Sequence, residues 1–219
     1  MIPLSKRLKT IKDMIPSVIT MDVGADHGYL ILSLIEEEII PYGYAVENKK
    51  GPYETLVKNI NSYPRLKDKI TPIFSDGIKD IKDDVKCVVL AGLGGILINN
   101  ILTKDLTKLE NVEYLVVDAH NALYEVRKKI TSLGYLIDDE IILKEDDIYY
   151  EIIRFKKGES NYLDDDDYFG PILRKKKDDI YKEKWNNKIN EIDNLLNKDL
   201  PISRKNELEK EKERILNNL

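Results

Sequence analysis

The chain predicts an α/β fold: a mostly parallel sheet covered by helices on both faces, finished by an antiparallel hairpin at one edge and followed by a helical extension. Three observations predict it. Short β-branched apolar runs alternate with helix-length segments from residue 18 to residue 133, which is how parallel strands joined by crossover helices read. Most of those runs stop at a glycine or an acidic residue. Beyond residue 135 the rhythm changes to two β-rich runs around an acidic turn, and then to apolar residues at helical spacing.

The elements follow in order. A short helix is expected from Leu4 to Met14, then a buried strand from Val18 to Val23 that runs into Gly24-Ala25-Asp26-His27-Gly28. Tyr29 to Glu38 reads as a helix, Tyr42 to Val46 as a strand ending at Glu47, and the stretch from Pro52 through Ile60 as a helix with proline near its start. Ile70 to Phe74 is a third strand, ending near Asp76-Gly77. Cys87 to Leu90 is a fourth and empties into Ala91-Gly92-Leu93-Gly94-Gly95, before a helix through Leu102. Tyr114 to Val117 ends at Asp118 and precedes a helix from Leu123 to Leu133. Ile137 to Leu143 and Tyr149 to Phe155, separated by Glu145-Asp146-Asp147, make the edge hairpin.

The Asp164 to Asp167 run is expected to be a solvated linker, because four adjacent carboxylates cannot be packed without neutralisation. It divides the chain into a unit over residues 1–165 and an extension over 166–219. In the extension Trp185, Ile189, Ile192 and Leu196 recur at helical steps, and Leu208, Ile215 and Leu219 continue after Pro201, which predicts a coiled-coil hairpin of two helices.

Composition narrows the function classes. With 42% apolar and 34% charged residues the chain is a globular protein rather than a disordered one. Lys6, Arg7 and Lys9 stand where a secretory signal would need apolar residues, and no apolar run reaches membrane-spanning length, so a cytoplasmic protein is expected. One cysteine, Cys87, and two histidines give no basis for a disulfide or a structural zinc site. The net charge of −5 is unevenly divided: residues 1–169 carry 22 Lys/Arg against 30 Asp/Glu, and residues 170–219 carry 13 against 10. The extension is therefore the basic part, with its densest cluster at Arg174, Lys175, Lys176 and Lys177, and phosphate binding depends on such local patches.

In open parallel sheets ligands bind at the carboxyl ends of the strands, which here gathers Asp22, Gly24, Asp26, His27, Glu47, Asp76, Gly77, Gly92, Gly94, Gly95 and Asp118 at one crevice. Glycine after the first strand admits a ligand close to the backbone, and Glu47 could accept both hydroxyls of a ribose. Asp22 and Asp26 would repel a pyrophosphate but attract a cofactor bearing an ammonium and a sulfonium, so the sign of the site favours S-adenosylmethionine over a dinucleotide. Asp26 is expected to serve both as helix N-cap and as ligand. His27 is as well explained by a structural role as by a functional one. Glycines 92, 94 and 95 suggest a backbone-lined opening for a flat substrate, with tight helix packing as the alternative.

Leu4-Ser5-Lys6-Arg7-Leu8, Asp22-Val23-Gly24-Ala25-Asp26-His27, Glu47 with Gly51-Pro52-Tyr53, Asp76-Gly77, Ala91-Gly92-Leu93-Gly94-Gly95, Tyr150-Glu151 and Phe169-Gly170-Pro171 together resemble the bacterial tRNA (adenine(22)-N1)-methyltransferases nearly end to end. The resemblance implies a Rossmann-like class I methyltransferase domain, S-adenosylmethionine as cofactor, tRNA as substrate, and no metal. It departs where Leu93 replaces the family's usual Met and Asp118-Ala119-His120 replaces its usual Gln-Pro-Asn. The implied cofactor contacts are Asp22, Gly24, Asp26, Glu47, Asp76, Gly77 and Gly92. Asp26 is the candidate for orienting the adenine and supporting its developing charge, with His27 and Asp118 beside it. Lys6, Arg7, Gly94, Gly95 and the Arg174 to Lys177 cluster are the expected substrate contacts, Lys9 adding to the basic N-terminus. Two other classes stay open: a methyltransferase for a small molecule or protein, and a non-catalytic protein that binds the cofactor or RNA.

Overall fold

Why the strands form is visible in their burial. In β4 (Cys87–Leu93) residues Cys87 to Leu90 are all buried, as are Leu115 to Val117 of β5 (Tyr114–Ala119), so both faces of the central strands are covered. The computed structural model describes residues 2–219, and among them β1 (Thr20–Val23), β2 (Gly43–Glu47), β3 (Ile70–Phe74), β4 and β5 pair in parallel. β6 (Tyr135–Glu145) and β7 (Ile148–Lys157) add antiparallel, giving the order β3-β2-β1-β4-β5-β7-β6. Asp146 and Asp147, both at positive φ (50° and 60°), close the hairpin with the left-handed pair a two-residue turn requires. The strand order reverses between β1 and β4, so the chain leaves opposite faces there and opens a crevice at the strand ends.

One face is covered by α1 (Lys6–Asp13), α2 (Tyr29–Glu36) and α3 (Lys50–Asn61), the other by α4 (Gly95–Lys104) and α5 (Leu123–Ser132). Ser5 caps α1 by accepting from the Leu8 amide at 3.2 Å, which accounts for the serine in Leu-Ser-x-Arg-Leu. In the parallel part of the sheet, β4 and β5 run further than expected: β4 continues to Leu93 through an irregularity between Ala91 and Leu93, and β5 reaches Ala119. Asp118 is therefore inside the sheet, paired in register with Ala91, rather than in the loop beyond it.

The acidic run is not the expected linker. Asp164–Phe169 is a helix, α6, with its four aspartates in the first turn, where the amide dipoles favour negative charge. Neutralisation comes from far along the chain: Arg214 pairs with Asp164 (2.8 Å) and Asp165 (2.7 Å), and Arg174 with Asp166 (2.9 Å). α7 (Pro171–Lys176) follows, then α8 (Asp179–Leu196) and α9 (Ile202–Leu216), joined by residues 197–201. Tyr181 meets Asn218 and Lys188 meets Glu211, so the partner number falls as the chain advances along α8 and the two helices are antiparallel.

A buried ionic network joins this hairpin to the sheet. Arg127 of α5 donates to Glu140 of β6 (2.8 Å) and Glu151 of β7 (2.5 Å), and Lys184 of α8 pairs with the other Glu151 oxygen. Two cations around it hold the Glu151 carboxyl down to about 2 against the opposing effect of burial. Gly170, at φ 82°, passes so close that a Cβ would sit 2.7 Å from the Glu140 carboxylate and 2.8 Å from Arg127, which explains glycine in Phe169-Gly170-Pro171. No helix among the described residues is long and apolar enough to cross a membrane.

Candidate active site

The crevice holds two cavities, of about 230 and 240 Å³, that share Gly24. The turn after β1 crosses toward β2: the Gly24 and Ala25 amides both donate to the Val46 carbonyl, at 2.9 and 3.0 Å. Gly24, Asp26 and Gly28 all have positive φ (77°, 49° and 73°), a conformation that aspartate tolerates better than most residues and β-branched ones do not. The α2 N-cap is Gly28, without a side-chain bond, so Asp26 is not the helix cap expected of it. Its carboxylate is exposed and points with His27 at the first cavity, their closest approach being 3.6 Å between Oδ2 and Nε2. His27 stacks on Tyr29 at 5.7 Å between ring centroids.

Asp22 lies behind that turn. It is 4% exposed, lines the first cavity and has no ion pair or hydrogen bond from its carboxylate among the described residues, so burial pushes its carboxyl up to about 7. A carboxylate in that state gains most from a cation brought into contact with it.

The second cavity is organised around Glu47 and Asp76. Glu47 is buried, and its Oε1 accepts from the Asn48 and Lys49 amides, both at 3.0 Å, which fixes the group and leaves Oε2 without a partner among the described residues. Asp76 accepts from Lys104 Nζ at 3.1 Å and Asn48 Nδ2 at 3.2 Å; Lys104 above all, then Asn48, holds it below the usual carboxylate range. Asn48 and Lys104 carry no signal in the sequence, since nothing in an exposed Asn or the last lysine of a helix marks them until the fold brings them to Asp76. Leu93, Leu97 and Ile101 supply the apolar wall. Gly77, at φ 60°, sits where a Cβ would lie 2.9 Å from Ile101.

A third group forms between the sheet and α1. The Arg7 Nη1 atom is 2.8 Å from Asp118 Oδ2, and its guanidinium lies 5.2 Å from the Tyr150 ring centroid, with His120 edge-on to that ring at 6.3 Å. Burial raises the Asp118 carboxyl and the Arg7 charge opposes the shift. Gly92, at φ 73°, faces Arg7 and His120 across gaps of 3.5 and 3.7 Å from a notional Cβ. Arg7 is thus turned into the first cavity and paired with Asp118. Tyr150 and His120 join this wall through pairing of β7 with β5, a register no local pattern announces.

Other expected substrate contacts are also differently placed. The Lys6 ammonium is held by the Lys144 carbonyl at 3.2 Å, and Glu145 takes the Lys6 and Arg7 amides at the start of α1. Gly95 is buried, and a Cβ there would meet the Asn121 carbonyl at 2.4 Å and Val126 at 2.8 Å; its glycine serves close packing of α4 on the start of α5, not an opening. Gly94 precedes it as the α4 N-cap. Arg174 is paired with Asp166, Lys177 ends α7 in the left-handed conformation, and Lys175 and Lys176 alone of the cluster are exposed.

Known proteins share this architecture. The profile of the tRNA (adenine(22)-N(1))-methyltransferase family matches residues 20–219. The tRNA (adenine(22)-N(1))-methyltransferase of Bacillus subtilis is 29% identical over 194 residues, covering 85% of this chain and 81% of that protein. The crystal structure of the Bacillus subtilis m1A22 tRNA methyltransferase superposes with a TM-score of 0.90 at 25% identity, over 100% of this chain and 99% of that one. Sp1610 of Streptococcus pneumoniae, crystallised with S-adenosyl-L-methionine, superposes with a TM-score of 0.91 at 30% identity, over 99% of this chain and all of that one.

Proposed function

The chain belongs to the tRNA (adenine(22)-N(1))-methyltransferase family, and from that premise we propose that it methylates N1 of adenine 22 in tRNA with S-adenosylmethionine. The observation that carries the reading is Asp22: a buried carboxyl without a counter-ion among the described residues, open to a cavity, fits a cationic methyl donor and resists a phosphate-bridged cofactor. The cofactor supplies an electrophilic methyl carbon on a sulfonium, which the N1 lone pair of adenine attacks as the carbon–sulfur bond breaks.

The protein's own residues then have defined tasks. Glu47, pre-set by two backbone amides, offers Oε2 to the ribose hydroxyls; Asp76 and the apolar wall of Leu93, Leu97 and Ile101 border the adenine of the cofactor; Gly24, Gly77 and Gly92 let it approach the backbone. N1 needs no deprotonation before attack, so catalysis rests on alignment and on supporting positive charge that develops on the base. Asp26 is placed for that, exposed at the mouth of the first cavity beside His27. Asp118 acts from behind the wall, through Arg7. N1 lies on the pairing edge, so adenine 22 must be unpaired or flipped to reach the site.

Residues 1–165 are the cofactor-binding unit, and residues 166–219 position the tRNA, Lys175 and Lys176 contacting phosphates without reading sequence. The protein acts in the cytoplasm, where its tRNA substrate is. The test is incubation of the purified chain and cofactor with an unmodified tRNA transcript and one carrying guanine at position 22. Expected is 1-methyladenosine in the first only. Equal methylation of both transcripts, or methyl transfer to a small molecule or protein in place of RNA, overturns the reading.

A further inference from the structure

Away from the crevice, α5, α6, α8 and α9 border a third, open hollow of about 440 Å³, none of whose walls is shared with the two cavities at the strand ends. It is lined by Tyr124, Tyr168, Trp185, Lys184, Arg214 and Asp164, with Glu125 at the start of α5. Tyr168 stacks on Trp185 (5.5 Å, 29°) and is tilted against Tyr124 at 6.5 Å, and the Arg214 guanidinium lies 4.2 Å from the Tyr168 centroid. Trp185 is 6% exposed, yet its indole Nε1–H has no acceptor among the described residues. A buried donor is costly to leave without an acceptor, so a site that holds one beside an open hollow is made for a ligand with an acceptor edge.

The chemistry narrows the ligand. Arg214 is already paired with Asp164 and Asp165, and Lys184 with Glu151, which leaves no free cation for a phosphate, while the Trp185 indole donor and the Glu125 carboxylate match an edge that both gives and takes hydrogen bonds. The Tyr124 ring favours a flat partner. A nucleobase meets each condition. The wall includes Ala122 and Leu123, which follow the end of β5 by three and four residues, so the hollow opens on the same end of the sheet as the crevice.

Resting on the tRNA reading above, we infer that this hollow is a second nucleobase pocket, which takes an unpaired tRNA base other than the one methylated by stacking on Tyr124 and accepting the Trp185 indole hydrogen bond. Its role is to fix the tRNA relative to the crevice through the base, where the lysines fix it through phosphates.

Trp185 is the only tryptophan in the chain, so its fluorescence reports on this pocket alone. Titration of the full-length protein with the unmodified tRNA transcript is expected to change the emission saturably, at the concentration that half-saturates binding. Tyr124→Ala should abolish the change and raise the KM for tRNA about tenfold, as for loss of one base–aromatic stack, with kcat within twofold; Tyr124→Phe, which keeps the ring, should restore both. No emission change, an equal change with fully paired RNA duplex, or an unaltered KM in Tyr124→Ala overturns the inference. If the transcript binds and changes the emission but is not methylated, the pocket stands and the assignment of the reaction falls.

Discussion

Arg7 and Asp118 lie 111 positions apart in sequence and 2.8 Å apart in space, and this pair fastens the N-terminal helix over the first cavity. Asp118 is fully buried and Arg7 mostly so, so removing the cation leaves a carboxylate with no compensation. Arg7→Ala should cost about 3–5 kcal/mol in urea unfolding at pH 8. Adding Asp118→Asn should recover part of that loss; a purely additive double variant would show that the pair is not coupled.

Asp22 should make cofactor binding pH-dependent. Its carboxyl titrates at about 7 in the free protein, so below that pH it is protonated and cannot pair with a cation. The cofactor Kd, by calorimetry between pH 5.5 and 8.5, should weaken by up to tenfold per unit below about pH 7 and level off above it.

The same group works against stability. A carboxyl raised above its unfolded value binds its proton more tightly when folded, so its contribution falls as pH rises from about 4 to about 7 and is constant above. From 3.8 to about 7 the ceiling is about 4 kcal/mol. Asp22→Asn should therefore raise the Tm of the cofactor-free protein at pH 8 while weakening cofactor binding. A lowered Tm at that pH would contradict the assignment of an uncompensated charge.

Asp26→Ala should lower kcat by roughly a hundredfold or more with the cofactor Kd changed only a few-fold, because its exposed carboxylate lines the first cavity beside His27. Near-normal turnover would remove Asp26 from the chemistry.

Lys175 and Lys176 are the exposed members of the basic cluster, so replacing both by alanine should weaken tRNA binding and reduce the slope of log K against log salt by about 2. Arg174→Ala should instead act on stability through its pairing with Asp166.

Gly95→Ala tests the reassignment of the glycine-rich loop. Overpacking against the Asn121 carbonyl and Val126 should cost about 1–3 kcal/mol of stability, read from the unfolding midpoint, while the tRNA affinity of the folded fraction is unchanged.

The sequence by itself determined the order of strands and helices through the edge hairpin, the crevice at their carboxyl ends and the acidic set Asp22, Asp26, Glu47 and Asp76, because apolar periodicity and turn residues are local and a parallel sheet follows from them. Only the tertiary structure decided where the charges go. It turned Arg7 onto Asp118, made a helix of four aspartates by bringing Arg214 and Arg174 to them, and placed the Gly95 backbone against Asn121. Each of these depends on a partner at least several residues away, and a charge or a glycine takes its meaning from what the fold sets beside it, which no single segment encodes.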